Sequence, residues 1–236
     1  MKKIKIFILF LTLAISILIC LNIEVTIYQG INYEVRVLGL PLYLKILDFY
    51  DRHFNYMRLA HKISEGKASQ KDKVMALFKW THENIRGQPK ELPVVDDHVW
   101  HIIVRGYGTG DQFSDVFTTL CNYINTKAFF FRLANSDNTG RITFSFVKTG
   151  LNWSLFEPRS GVYFINKEDE FASVEDIASG NWIPVSIDDT HRIRTDYADF
   201  FSQILTVNPE EYHRLSRANI QSPFNRFIYG FKKKYR

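Results

Sequence analysis

RGYGTGDQFSDVFTTLCNYINTKAFFFRL, residues 105–133, holds a turn, a helix and the start of a sheet in one run. Gly106, Gly108 and Gly110 alternate through its first six residues, which is turn chemistry. Phe113, Val116, Phe117, Leu120, Cys121 and Ile124 then recur at three- and four-residue spacing, as on a helix with one buried face. Asn125 stands where a left-handed cap would end that helix. Ala128 to Leu133 is apolar and aromatic, as a strand is.

Downstream, residues 136–140 read as a turn, and Ile142, Phe144 and Phe146 alternate with Thr143, Ser145 and Val147. Gly150 turns the chain again and residues 152–156 return. A core helix followed by an antiparallel meander makes the fold class α+β. Ser173 to Asp176 caps a short helix, and Asn208-Pro209 and Ser222-Pro223 are cap-plus-proline starts for C-terminal helices. Upstream, Ser69-Gln70-Lys71-Asp72 resembles a capping box. It opens a helix with Val74, Leu77, Phe78 and Ile85 on one face, closed by Gly87 and Pro89. In the connector before it, residues 33–37 have strand character that Gly39-Leu40-Pro41 breaks, and Leu42 to Ile63 is helical.

Residues 6–23 are eighteen positions without a charge, at the lower edge of what spans a bilayer core of about 30 Å. Lys2, Lys3 and Lys5 precede them, while only Glu24, Glu34 and Arg36 follow closely. The reading is a single-pass signal anchor with its N-terminus in the cytoplasm and the remainder outside. A cleaved signal peptide would need small residues at a cleavage site, for which Ala14-Ile15-Ser16 is the one candidate. Lipidation at Cys20 is disfavoured by Ile19 before it. The chain of 236 residues is 46% hydrophobic with 20 Phe, enough for a substantial core. Its net charge of +5 is scattered, without the stripe or module that nucleic-acid binding needs. Two cysteines, one of them in the apolar segment, indicate no disulfide framework.

The order helix, glycine-rich turn, buried helix and meander resembles transglutaminase-like proteins, cysteine enzymes of papain-like architecture. Residues 105–133 are similar to their nucleophile motif, in which a cysteine opens the helix. With Gly110 on the cysteine position, Asn125 falls fifteen residues later on the family's loop glycine and Ala128 eighteen later on its strand alanine. Placing Gln112 there misaligns both. NWSLFEPRSGVYF, residues 152–164, looks like the family's W-x-x-x-D-P segment, with Trp153 and Pro158 kept and Glu157 where aspartate belongs. The helix over 71–86, with Trp80 and Asn84, resembles the one before the family's nucleophile. The expected division is an anchor over 1–25, a connector over 26–66, the transglutaminase-like domain over 67–180 and a helical extension over 181–236.

The resemblance implies a triad of cysteine, histidine and aspartate working through a thioester. Gly110 has no side chain to supply the nucleophile. The histidine belongs on the strand over 141–147, which contains none of the seven His; Thr143 is read as its occupant, with the adjacent positions as alternatives because the turn length varies. Glu157 could still accept a hydrogen bond. The triad positions Gly110, Thr143 and Glu157 are therefore read as vestigial, with no catalytic residue, cofactor or metal.

Blander uses compete for the remaining candidates. Cys121 lies on the apolar stripe, so a core thiol outweighs a displaced nucleophile. Asp96, Asp97, His98 and His101 match no known metal spacing. Gly106, Gly108 and Gly110 lack the Lys-Ser/Thr that would follow a phosphate cradle. Phe224, Phe227, Ile228 and Phe231 beside Lys232, Lys233 and Lys234 could lie on a membrane, but packing on the domain is favoured. The expected function is a membrane-tethered, non-catalytic domain that binds a peptide, glycan or partner protein in a cell-envelope process. A residual hydrolase using Cys121 with His98 or His101, and a purely structural envelope subunit, are the alternatives.

Overall fold

Ser69 Oγ accepts the Asp72 N–H at 3.0 Å, and Asp72 Oδ2 accepts the Ser69 N–H at 3.2 Å. This reciprocal box opens helix α3, Gln70–Asn84, where the sequence places it. In the computed structural model, residues 2–31, 34–92, 98–188, 195–216, 221–222, 225–226 and 228 are described.

The described chain forms two units, residues 1–52 and 53–236. The first contains α1 (Lys2–Leu21) and an antiparallel hairpin of β1 (Glu24–Ile31) and β2 (Glu34–Pro41). Among the described residues, Lys3–Leu21 is the one helical stretch long and apolar enough to cross a membrane. β2 runs through Gly39 and Leu40 to Pro41 rather than breaking there. Proline is tolerated because it is the terminal residue of an outer strand, where its missing N–H breaks no ladder. Helix α2, Leu42–Ser64, crosses the division.

In the second unit α2 and α3 are followed by β3 (Arg86–Gly87), α4 (Val99–Arg105), β4 (Tyr107–Gly108) and α5 (Gly110–Tyr123). β3 and β4 pair in parallel over two residues. Then come β5 (Ala128–Ala134), β6 (Arg141–Thr149), β7 (Asn152–Glu157), β8 (Val162–Ile165), α6 (Val174–Ala178) and β9 (Ile183–Ser186). These five strands make one antiparallel sheet in sequence order. A 3-10 helix (Tyr197–Thr206) and α7 (Pro209–Leu215) follow.

Both faces of the sheet are covered. On one, the stripe Phe113, Val116, Phe117, Leu120 and Cys121 of α5 packs with Tyr56, Ala60, Val74, Leu77 and Phe78 onto Ala128, Val147 and Phe156. Phe78, Phe117 and Phe156 meet edge to face at 5.3–5.5 Å, and burying each is worth roughly 1.5–3 kcal/mol over exposure. On the other face Phe129, Phe144, Phe146, Leu155 and Phe164 meet Ile177, Tyr197, Phe201 and Ile204. This second layer explains why β6 is buried at consecutive positions Phe144 to Val147 instead of alternating.

The boundary expected after residue 180 falls inside this sheet, because β9 hydrogen-bonds to β8. The connector expected to end at residue 66 likewise includes Tyr56 and Ala60, which belong to the domain core. β9 is four residues long with none fully buried, and α2 buries only Tyr56, Ala60 and Ser64 along its 23 residues, so neither shows a strong apolar stripe. Asn125 adopts φ 59° after α5, the left-handed conformation its position demanded.

Candidate functional site

The turn before α5 is held by its own side chains. Gly106 caps α4 at φ 71°. Gly108 must be glycine, since a Cβ there would lie 2.7 Å from Gln112 Oε1. Buried Gln112 accepts from the Thr109 N–H at 3.1 Å and from Arg105 Nη2 at 2.8 Å. Gln112 thus braces the turn and does not line the cleft outside it, whereas Gly110 does. The close approach at Gly108 and the cap at Gly106 account for two of the three glycines without a phosphate.

A cleft of about 530 Å³ opens at this helix end. Thr109, Gly110 and Asp111 form one wall, with Arg132 of β5 beside them. Arg141, Ile142 and Thr143 come from β6, Glu157, Arg159 and Ser160 from the end of β7, and Thr195 from beyond the sheet. The pairing of β6 with β7 places the start of one strand beside the end of the other. Gly110, Thr143 and Glu157 are therefore gathered in one cleft. Tyr107 does not fill it, its ring lying instead 5.5 Å from the Arg105 guanidinium.

Each cleft group has a definite setting. Glu157 is only 5% exposed. It accepts from the Ser160 N–H at 3.2 Å and from the Tyr197 hydroxyl at 3.3 Å. Burial pushes its carboxyl above the ordinary value of 4.5, against the opposing hydrogen bonds and the Arg159 charge. Tyr197 is pushed up as well, by burial first and by Glu157 second. Arg132 pairs with Asp111 at 3.3 Å, an exposed contact worth little by itself. Arg159 crosses Gly110: a Cβ on that glycine would sit 3.4 Å from Arg159 Cδ and 3.5 Å from Nη1.

His82 of α3 has Nδ1 3.1 Å from the Pro158 carbonyl and Nε2 3.0 Å from Asp188 Oδ2. Both ring nitrogens lie within hydrogen-bond distance of protein oxygens, and His82 is not among the described residues that line the cleft. The imidazole ties α3 to Pro158, between Glu157 and Arg159, and to Asp188 after β9, contacts 76 and 106 residues apart that sequence spacing does not reveal.

The other candidates lie elsewhere. Cys121 is wholly buried in the α5 core, and burial holds its thiol well above the usual range. It therefore has neither access nor ionisation for a nucleophile. The rings of His98 and His101 are 5.6 Å apart edge to face. Asp96 and Asp97 lie outside the described residues. So do Pro223, Phe224, Phe227, Phe231 and Lys232 to Lys234, while Ile228 is described only as half-buried. Sequence reasoning missed the three cleft arginines. Their signal was an arginine on each side of the 136–140 turn and one after Glu157-Pro158, legible only once strand register is known.

The sequence profile described as Transglutaminase-like superfamily matches residues 57–186. No match is found among curated proteins. Among solved structures, one from Cytophaga hutchinsonii, named provisionally as a cysteine protease, is 14% identical with a TM-score of 0.41. That match covers 66% of this chain and 61% of the other. A second, named as a TGase, is 14% identical with a TM-score of 0.37, covering 56% of this chain and 43% of the other. This chain thus spans under two thirds of the length of either.

Proposed function

This chain belongs to the transglutaminase-like superfamily, and from that premise we propose that it is a membrane-anchored, non-catalytic member. Its cleft holds a peptide, glycan or protein partner in a cell-envelope process without turning it over. The observation that carries this reading is the character of the cleft wall at the start of α5. Gly110 offers no nucleophile, and no cysteine or histidine is among the described residues that line the cleft.

Acyl transfer through a thioester needs a thiolate, a base to receive and return a proton, and a group to orient that base. Thr143 cannot supply the base, and the carboxyl of Glu157 is engaged by Ser160 and Tyr197 rather than by an imidazole. What remains is a recess with hydroxyls, guanidinium groups and carboxyls, suited to hydrogen-bonding an extended polar ligand. An open polar cleft also favours binding over a purely structural role, for which a closed site beside an exposed apolar patch would be expected.

The test uses the full chain in non-ionic detergent with peptide ester, thioester and amide substrates. No turnover above buffer is expected; turnover abolished by changes in the cleft would overturn the reading. For the anchor, protease added to intact spheroplasts should digest the domain. A protected domain would refute the outward orientation, and release by carbonate would mean the N-terminal segment is cleaved.

A further inference from the structure

Among the described residues the cleft arginines differ in how their charge is used. Arg132 is paired to Asp111. Arg141 and Arg159, both exposed at the cleft, make no ion pair. Glu157 is held from below by the Ser160 N–H and the Tyr197 hydroxyl rather than by either guanidinium. Two planar five-donor groups therefore face the same recess with their hydrogen-bonding capacity unspent.

The environment around them narrows what they accept. Among the described lining residues, three guanidinium groups stand against two carboxyls. That balance suits a singly charged oxyanion better than a dianion, which the Asp111 carboxylate would repel. Guanidinium forks match carboxylate geometry in a bidentate fashion. The recess is much larger than a bare ion, within the size range of small-ligand pockets. Thr109, Thr143, Ser160 and Thr195 supply hydroxyls for amide groups around the charge. Arg159 lies across the side-chain-free Gly110, so its guanidinium occupies the cleft wall beside the start of α5.

Resting on the non-catalytic binding reading, we propose that Arg141 and Arg159 form a carboxylate-recognition site that selects peptides through a free chain end or an acidic side chain. Recognition is electrostatic and bidentate, so it weakens as ionic strength rises.

The test is NMR of the full chain in non-ionic detergent, labelled with 15N-arginine. The side-chain Nε–Hε signals of Arg141 and Arg159 are assigned by Arg141→Lys and Arg159→Lys. Four probes are titrated: N-acetyl-trialanine with a free carboxylate, N-acetyl-Ala-Glu-Ala amide, N-acetyl-trialanine amide and inorganic phosphate. One or both acidic peptides should shift the two signals saturably, and the one that does identifies chain end or side chain as the source. The neutral amide should bind about tenfold more weakly or less, the scale of one lost charge-assisted hydrogen bond. Arg141→Met and Arg159→Met should each weaken the acidic peptide similarly, in proteins that remain folded because both side chains are exposed.

Equal shifts with the neutral amide, or unchanged affinity in both Met variants, would overturn the inference. Phosphate binding more tightly than either acidic peptide would replace the peptide site with a simple anion site. Cleavage of a probe would refute the non-catalytic reading while leaving carboxylate selection standing. Silent arginine signals without turnover would refute carboxylate selection alone.

Discussion

Gly110→Cys should create a thiol that ionises easily yet does no acyl transfer. Gly110 is the first residue of α5, where unpaired N–H groups and the helix dipole favour negative charge. The new Cβ would meet Arg159 Cδ at 3.4 Å and Nη1 at 3.5 Å, contacts a flexible exposed side chain can relax. That guanidinium adds a positive charge beside the thiolate, and Asp111, partly neutralised by Arg132, opposes it. Such surroundings lower a cysteine from about 8.5 toward about 7. At pH 7 the thiolate fraction would rise from about 3% to about 50%. The thiolate's intrinsic nucleophilicity falls at the same time, so alkylation should accelerate only about three- to fourfold. The sharper readout is the midpoint of iodoacetamide labelling rate against pH, measured in a Cys20→Ser background. Buried Cys121 should stay unlabelled. Thioester hydrolysis should remain at background until Thr143→His is added, because proton transfer by a positioned base is typically worth a hundredfold or more. A labelling midpoint near 8.5 would refute the placement of Gly110 at the nucleophile position. Turnover by Gly110→Cys alone would refute the claim that the base is missing.

Glu157→Gln should raise the thermal midpoint at pH 7–8 more than at pH 4. A carboxyl whose folded value is raised keeps its full contribution only below about 4.5, and that contribution is lost as pH rises through the folded value. An equal gain at both pH values would contradict this. On α7, burial lowers His213 to about 4, and hydrogen bonds from Lys148 and Lys127 lower Glu210 to about 2. Stability from the neutral histidine is present above 6.5 and lost as pH falls toward 4, and that from Glu210 is lost between 4.5 and 2. Fluorescence of Trp153, whose ring lies 5.9 Å from His213, should change in the first of these windows, and His213→Gln should remove that step. Cys121→Ala should cost on the order of 1 kcal/mol in urea unfolding and leave ligand binding intact. Lost binding in a folded Cys121→Ala protein would revive a role for the thiol.

The legible parts of this fold were those whose signal is local. The α5 stripe, the Asn125 cap and the boxes at Ser69 and Ser173 each place a side chain and its partner within a few residues. The second layer over the sheet was not legible as such. β9 is four residues containing Pro184, and the Tyr197–Thr206 segment is 3-10, whose three-residue turn blurs the usual helical stripe. The cleft divides in the same way. Gly110 and Glu157 came from motifs with fixed spacing, while Arg141 and Arg159 meet only because β6 and β7 are antiparallel. The His82–Asp188 contact joins residues that no window reads together.

Glu157 bears most directly on whether this cleft is a relic or a working site. A carboxyl buried to 5% exposure is disfavoured in its charged form, and its raised value expresses that disfavour. If, as proposed, Glu157 orients no imidazole, a neutral glutamine or an apolar residue of similar volume would remove the penalty. The rest of the wall points the same way. At Gly110, a side chain that begins to close the recess would cost little, because the Arg159 side chain it meets can move aside. Instead the recess stays open, lined by the Arg141 and Arg159 side chains and by Glu157. Loss of catalysis alone predicts a cleft that fills with whatever packs best. A cleft that remains open, polar and charged is what a ligand of matching chemistry requires, and removing Arg141 and Arg159 together tests that requirement without touching the core.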